Sequence, residues 1–347
     1  MIVSALPKLI NRINLSQSEA ESVMNQIMSG DATPAQIGAY LIALRMKGET
    51  VDEITGSARA MRTHSLKVTL PENNEDILDI VGTGGDGSNS FNISTAAAFV
   101  IAATGRKVAK HGNRAASSKC GSADVLEAAG VALELGPEHV TKCIEQVGIG
   151  FMFAPTFHPA MKNVANARKI IGKRTAFNLL GPLSNPANVK HQLVGVFADD
   201  YIKRIVKIMQ KNNSETILAV RSEDGMDELS VTSKNKVCML KNDKITEFII
   251  NPEDYNIEKC NLSDIQISTK QEAIDAFLSV INNTSNKTMK EITVLNAAGG
   301  MLVGGICDKF DEGIELARET INNGKTLEKL KQFAKINNAL EKVKECD

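Results

Sequence analysis

Residues 79–122 read DIVGTGGDGSNSFNISTAAAFVIAATGRKVAKHGNRAASSKCGS, and this stretch is the strongest indication of the architecture. An apolar run at 77–81 ends in the glycine-rich segment 82–87, and a helix-like run opens at Asn92. A second strand-like run ends in the polar loop 110–113. Glycines let backbone N–H groups turn toward a ligand, and a helix N-terminus adds partial positive charge. Since loops after successive parallel strands share one sheet edge, the pattern predicts an α/β protein that binds a phosphorylated ligand there.

Two common nucleotide-binding motifs fit this stretch poorly. Gly82, Gly84 and Gly87 satisfy G-x-G-x-x-G, but the dinucleotide fingerprint also needs an immediate helix and an acidic residue about 20 positions on. The next strand here ends in Lys110 and His111 instead. No Gly-Lys-Ser/Thr follows the glycines, which excludes a P-loop. The second polar loop disfavours a glycine-rich turn without a ligand.

Composition limits the class of protein. A chain of 347 residues predicts about two domains, and 40 Lys and Arg against 41 Asp and Glu argue against nucleic acid as a partner. The six cysteines show no C-x-x-C spacing, which favours reduced thiols, a cytoplasmic location and no cysteine-bound metal. No signal-peptide core and no apolar run of membrane-spanning length occurs, so we expect no membrane association.

The N-terminal part predicts a small all-helical domain. Ser16 with Glu19 and Thr50 with Glu53 fit capping boxes, and Thr33 precedes a proline at a helix start. We expect this domain to span residues 1–70, followed by a linker at 70–75. A larger α/β domain at 76–347 is predicted, with residues 158–186 packing back onto the helical domain.

Short apolar runs alternate with helical spacing after Asp76, which predicts βαβ units and a mostly parallel sheet flanked by helices. A hairpin is expected at Asn242-Asp243, and a helical tail from Lys270. Residues 159–171 read as a helix and 174–186 as an irregular strip. The predicted strands are Ile77–Val81, Val108–Lys110, Val131–Leu135, Gly150–Ala154, Leu193–Phe197, Ile217–Val220, Val237–Leu240 and Ile245–Ile250.

Seven motifs now carry a family resemblance: GTGGDG, N-x-S-T, KHGNRA, SSKCGSAD, HPAMKNVANARK, RTAFNLLGPLSNP and GMDE, in that order. In this order they resemble the anthranilate phosphoribosyltransferase family, over nearly the whole chain. The resemblance implies a fold of the nucleoside phosphorylase type and a homodimer joined through the helical domain. It also implies transfer of the phosphoribosyl group of 5-phosphoribosyl 1-pyrophosphate (PRPP) to the amine of anthranilate, with magnesium, in tryptophan biosynthesis.

The resemblance assigns PRPP to the two polar loops. Glycine N–H groups suit the pyrophosphate, and hydroxyl and amide side chains supply neutral donors. Taken singly, each serine or asparagine could equally be a cap or turn residue. The implied PRPP-binding residues are Gly82, Gly85, Asp86, Ser90, Asn92, Ile93, Ser94, Thr95, Lys110, His111, Gly112, Asn113, Arg114, Ala115, Ala116, Ser117, Ser118 and Ser122.

The resemblance also implies a metal site and an acceptor site. Ser94, Asp227 and Glu228 would hold two Mg²⁺ ions, because magnesium favours one or two carboxylates together with substrate oxygens. Without the resemblance, the acidic pair would read as a solvated turn. Gly82, Asn113 and Arg168 would bind anthranilate; a guanidinium suits its carboxylate, although surface arginines commonly lie along helices. Positioning by Lys110, Asn113 and Arg168 is expected, with no catalytic residue assigned.

Some readings stay open. His111 is either a general base or a residue that positions its loop, and an arylamine that loses its proton late needs no strong base. Cys120 reads as a small buried thiol. A pyrimidine nucleoside phosphorylase would lack the Asp227-Glu228 pair. A catalytically silent homologue that binds nucleic acid would show a basic surface and eroded motifs, neither of which occurs.

Overall fold

The computed structural model describes residues 1–70, 77–115 and 119–344. Fifteen α-helices and seven strands occur in these ranges, together with short 3₁₀ segments at Pro159–Met161, Pro252–Tyr255 and Leu262–Asp264. The strands are β1 Leu78–Gly82, β2 Val108–Gly112, β3 Ile149–Phe153, β4 His191–Gly195, β5 Thr216–Ser222, β6 Asn235–Lys241 and β7 Lys244–Ile250. The helices are α1 Ile2–Ile10, α2 Gln17–Met28, α3 Pro34–Lys47, α4 Val51–Thr63, α5 Ile93–Ala103, α6 Ser122–Ala128, α7 Pro137–Val147, α8 Ala154–Phe157, α9 Lys162–Ile171, α10 Phe177–Leu183, α11 Asp199–Lys211, α12 Lys270–Ile281, α13 Lys287–Val303, α14 Phe310–Asn322 and α15 Lys325–Lys344.

Capping boxes open three of the N-terminal helices, and two of them, at Ser16 and Thr50, were predicted from the sequence. The Ser16 and Thr50 hydroxyls accept from the N–H groups of Glu19 and Glu53, whose carboxylates accept in return. Thr33 forms a third box with Gln36. Helices α2 and α4 pack closely, since a methyl group on Gly56 would lie 2.1 Å from the Gln17 carbonyl oxygen. Residues 71–75 of the predicted linker 70–75 and the domain boundary at Asp76 lie outside the described residues.

The sheet has the strand order β3-β2-β1-β4-β5-β6-β7. Strands β1 to β5 pair in parallel, whereas β6 is antiparallel to both of its neighbours, β5 and β7. The predicted hairpin is confirmed: Asn242 and Asp243 both have positive φ, as a two-residue turn requires. Because the strand order reverses between β1 and β4, their carboxyl ends form the crevice where such sheets bind ligands. The expected α/β fold is confirmed.

One face of the sheet is covered by α5, which packs against α13 and α15. The glycine pair in α13 is needed for this packing. A methyl group on Gly300 would lie 2.4 Å from Ile101 Cδ1 of α5, and one on Gly299 would lie 2.6 Å from Leu193 Cδ1 of β4. These glycines therefore bring α13 close to α5 and the sheet.

The other face joins the N-terminal helices. Buried side chains of α9, α10 and α11 share one apolar cluster with α1–α4 and with β4–β6. The Asn163 amide donates to the Met28 carbonyl (2.8 Å), and Arg62 Nε donates to the Leu183 carbonyl (2.7 Å). The segment from α9 to α10 thus connects the helical bundle to the sheet.

Two secondary-structure predictions were wrong. Val131–Leu135 forms no strand: its apolar side chains are buried, but the Ala132 N–H donates to Asn337 Oδ1 (2.6 Å) of α15 instead of pairing with the sheet. The strip 174–186 is not wholly irregular, because α10 forms within it despite Pro182. The helix predicted at 159–171 begins as a 3₁₀ segment and becomes α-helical at Lys162.

Candidate active site

The loop after β1 turns sharply at the switch point. Gly84, Gly85 and Gly87 have φ of +70°, +73° and +82°, a region that side chains other than glycine rarely adopt. The loop is tied to β4: the Thr83 N–H donates to the Gly195 carbonyl (2.9 Å), and the Phe197 N–H donates to Thr83 Oγ1 (3.1 Å). The glycine loop (residues 82–87) is therefore held against the carboxyl end of β4.

The acidic turn, residues 223–228 directly after β5, lies over the carboxyl ends of β1 and β4. Gly82 and Gly195 face each other in the parallel register. A methyl group on Gly195 would lie 1.5 Å from the Asp227 carbonyl oxygen, and one on Gly82 would lie 2.5 Å from Asp227 Oδ2. The Gly84 N–H donates to Asp227 Oδ2 (2.6 Å). Because Gly82 and Gly195 carry no Cβ atom, Asp227 has room to approach the glycine loop.

Three carboxylates converge here. The Asp227 N–H donates to Asp86 Oδ2 (3.3 Å). Burial, and then the charge of Asp86, raises the pKa of Asp227 to about 7. Burial, and then the charge of Asp227, raises the pKa of Glu228 to about 8, while the Ser94 N–H donates to its carboxylate. Crowded carboxylates with raised pKa values are typical of a site that gains stability from a cation.

Lys110 lies beneath these groups. Its Nζ donates to the Ile80 carbonyl (2.7 Å), and burial lowers its pKa against the opposing charges of Asp79 and Glu228. Asp79 Oδ2 accepts from Asn185 Nδ2 (2.8 Å), and burial raises the pKa of Asp79 to about 6. The lysine charge is therefore engaged within the protein, below the glycine loop.

The N-terminus of α5 continues the site. Asn92 is its N-cap residue, and its Nδ2 donates to the Cys120 carbonyl (3.2 Å), which joins the two polar loops. Ile93 and Thr95 are buried, and the Ile93 N–H already donates to Phe91. Ser90 pairs with Gln266, which anchors the segment before the helix.

The loop after β2 contains His111 to Ala115. Burial, and then the neighbouring His158 ring at 5.0 Å between centroids, lowers the pKa of His111 to about 3. A methyl group on Gly112 would lie 2.2 Å from Ser122 Oγ, which itself donates to the Asn113 carbonyl (3.2 Å). Arg114 pairs with Glu127 (2.7 Å) and with Asp124 (3.1 Å) on α6. Ala116, Ser117 and Ser118 lie outside the described residues.

Two arginines come from the part of the chain that runs from α9 to the start of α10. Arg168 on α9 lies over the Phe177 ring, with its Cζ 5.4 Å from the centroid, and burial lowers its pKa. It makes no hydrogen bond to the polar loops among the described residues. Arg174 lies over the Phe197 ring at 4.1 Å, and a methyl group on Gly85 would lie 3.0 Å from its Nη2.

Sequence reasoning missed two of these features. From the sequence, Gly195 is only part of a predicted buried strand. That it lies opposite Gly82 and leaves space for the Asp227 backbone is visible only once the strand register is known. Arg174 read as the first residue of a connecting strip, and nothing in its local sequence shows that Phe197 and Gly85 are its neighbours.

No helix in the described part of the chain is long and apolar enough to cross a bilayer. Within those same ranges, no group of three or more His, Cys, Asp or Glu side chains is arranged so that it could hold a metal ion by itself.

Comparison with known proteins gives the family. The model of the glycosyl transferase family a/b domain matches residues 74–327, and that of the family's helical bundle domain matches residues 3–65. Anthranilate phosphoribosyltransferase of Nitrosopumilus maritimus (strain SCM1) is 48% identical over 345 residues, 99% of each chain.

Solved structures agree with this assignment. The crystal structure of anthranilate phosphoribosyltransferase from Thermus thermophilus has a TM-score of 0.90 at 37% identity, covering 96% of this chain and 99% of that one. The Saccharomyces cerevisiae enzyme in complex with PRPP and Mg has a TM-score of 0.88 at 27% identity, covering 97% and 98%. Another structure of the yeast enzyme contains 4-fluoroanthranilate. The chain therefore belongs to the anthranilate phosphoribosyltransferase family of glycosyl transferases.

Proposed function

We propose that the glycine loop, the N-terminus of α5 and the acidic turn form the PRPP site of an enzyme that transfers the phosphoribosyl group to the amine of anthranilate, giving N-(5-phosphoribosyl)anthranilate and pyrophosphate. The observation that carries this proposal is the convergence of Asp227 and Glu228 with the loop of Gly82–Gly87 at the switch point of the sheet. A phosphorylase that binds free phosphate has no need of such a carboxylate group beside its glycine loop.

Breaking the C1–oxygen bond of PRPP builds negative charge on the pyrophosphate and positive charge on the ribose. The glycine loop and the positive end of the α5 dipole would face the leaving group, and such a preorganised environment stabilises developing negative charge. Asn92, Ser94, Asn113 and Ser122 add neutral donors beside them. Lys110 contributes as a buried positive charge that offsets Asp79 and Glu228.

The donor set fits magnesium. Asp227 and Glu228 supply hard oxygen ligands, Ser94 lies beside Glu228, and the crowding of Asp86 with Asp227 leaves excess negative charge for a divalent ion. When bound, Mg²⁺ would neutralise the pyrophosphate oxygens. We propose two ions, because two carboxylates and a diphosphate offer more oxygens than one octahedral ion uses.

The acceptor would enter from the side of α9. Arg168 offers two parallel N–H donors to the anthranilate carboxylate, with Phe177 supporting its guanidinium. His111 stays neutral at neutral pH, because burial holds its pKa at about 3. Such a weak base favours the positioning role over general-base catalysis, and the amine loses its proton late.

We also propose a homodimer formed through the helical domain. An apolar groove of about 560 Å³ lies between α1 and α3, and Ile10 and Met46 beside it are 70% and 73% exposed. A patch of this kind on a small domain marks an interface. The Met46→Glu variant should shift the mass in light scattering from dimer to monomer, while Ile249→Glu on the edge strand β7 should not. A monomeric wild-type protein at micromolar concentration would contradict the proposal.

The proposed compartment is the cytoplasm, supported by the free thiols of Cys143, Cys238, Cys260 and Cys307 in the described part of the chain.

The activity is tested by following anthranilate fluorescence. Purified protein should consume anthranilate only when PRPP and magnesium are both present. Cleavage of thymidine or uridine by inorganic phosphate, with anthranilate untouched, would show a nucleoside phosphorylase instead.

A further inference from the structure

We propose that Arg174 binds the diphosphate of PRPP beside the glycine loop. This assignment rests on the proposed function and adds a cation from the segment between α9 and α10 to a site otherwise built from the ends of the strands. Three observations carry it: the position of the guanidinium, its aromatic support, and the state of the neighbouring cations.

The guanidinium lies against the glycine loop itself. A methyl group on Gly85 would lie 3.0 Å from Nη2, 3.4 Å from Nε and 3.5 Å from Cζ of Arg174. Gly85 also has a φ of +73°, so the loop here requires glycine for its backbone conformation as well as for clearance. An anion bound by the N–H groups of this loop would therefore lie within reach of the Arg174 fork.

The guanidinium is held by an aromatic ring that belongs to the same assembly. Arg174 Cζ lies 4.1 Å from the centroid of Phe197, and the Phe197 N–H donates to Thr83 Oγ1 (3.1 Å) in the glycine loop. A guanidinium stacked on a ring keeps its N–H donors in its own plane, available for two parallel bonds to phosphate. The stacking also lowers the conformational entropy lost when an anion binds.

Two other cations beside the polar loops, Lys110 and Arg114, already have protein partners. Lys110 Nζ donates to the Ile80 carbonyl, and Arg114 pairs with Glu127 and Asp124. Within the described ranges, Arg174 makes no hydrogen bond or ion pair, only its contact with the Phe197 ring. A half-buried arginine of this kind, facing a loop of N–H donors, suits a highly charged phosphate ester.

The test compares Arg174→Ala, Arg174→Lys and a matched control, Lys173→Ala, which removes the exposed cation next to it. Each full-length variant is measured for PRPP KM, anthranilate KM, and the Kd of magnesium pyrophosphate by titration calorimetry. We expect Arg174→Ala to raise the PRPP KM and the pyrophosphate Kd by about 10- to 100-fold, the loss of a charge-assisted bond. The anthranilate KM of the same variant should change by less than about threefold.

Lysine keeps the charge without the planar fork, so Arg174→Lys should recover part of the lost affinity, and Lys173→Ala should behave as wild type. A purely structural role would lower the melting temperature and leave the pyrophosphate Kd of the folded variants unchanged, which would overturn the assignment. A rise confined to the anthranilate KM would overturn it too, since Arg174 would then contact the acceptor. Wild-type protein that binds magnesium pyrophosphate but leaves anthranilate untouched would contradict the proposed function, and the binding arm would still test Arg174.

Discussion

Gly195→Ala perturbs the site at the point where the acidic turn crosses the sheet. The new methyl group would lie 1.5 Å from the Asp227 carbonyl oxygen and 2.4 Å from its carbonyl carbon, both backbone atoms that cannot rotate away. Restoring a 3.0 Å contact requires the turn to withdraw by about 1.5 Å. The displacement would carry Asp227 and Glu228 away from the glycine loop that we propose binds the diphosphate.

A misplacement of about 1 Å can cost about 10²-fold in rate, so kcat/KM for PRPP should fall by at least about 10²-fold. The magnesium concentration for half-maximal rate should rise with it, because the carboxylates no longer face the diphosphate. Overpacking should also lower the free energy of unfolding by about 1–3 kcal/mol. The assay is anthranilate fluorescence at varied magnesium, beside urea denaturation.

Two other glycine-to-alanine variants serve as comparisons for Gly195→Ala. Gly136→Ala adds a methyl group that meets nothing within 4 Å and should keep wild-type kcat/KM. Gly82→Ala meets the Asp227 side chain, which can rotate, so its effect should be intermediate. A folded Gly195→Ala protein with wild-type rate and magnesium dependence would refute the argument that the acidic turn must lie against β4.

Three further predictions concern single groups. Arg168→Ala should raise the anthranilate KM about 10- to 150-fold and leave the PRPP KM within about threefold, because it removes a charge-assisted bond to the carboxylate; the reverse pattern would exchange the substrate positions. Asp227→Asn and Glu228→Gln should each shift the magnesium titration of the rate, and unchanged titrations in both would make the turn a solvated one. Burial holds the pKa of His158 at about 4 and that of His111 at about 3, so stability is fully present above pH 6.5 and is lost as pH falls below it. The unfolding free energy should fall by about 1.4 kcal/mol per pH unit for each histidine, and a His158→Asn variant with the full wild-type slope in denaturant titrations would contradict this.

Sequence patterns predicted those parts of the fold that local chemistry determines. Capping boxes such as Ser16 with Glu19 marked helix starts because both partners lie within one turn. The parallel sheet followed from alternating apolar runs, and the Asn242-Asp243 turn from its residue types. Val131–Leu135 failed because a short apolar run shows that it is buried but not whether a neighbouring strand is available.

Those parts of the candidate site that lie on single loops with a recognisable motif could be predicted from the sequence. The contacts between separate strands and loops could not. The sequence showed the glycine loop, the N-terminus of α5 and the acidic turn. The burial of Lys110 under Asp79 and Glu228, and the clearance that Gly195 gives Asp227, depend on the order and register of β1, β4 and β5.

A crystal structure of the protein with PRPP and magnesium is the decisive measurement for the proposed site. We expect the diphosphate to lie against the glycine loop and the N-terminal end of α5, with magnesium between it and the carboxylates of Asp227 and Glu228. A diphosphate bound at Arg168 instead, with the acidic turn far from any metal, would show that the site is wrongly placed.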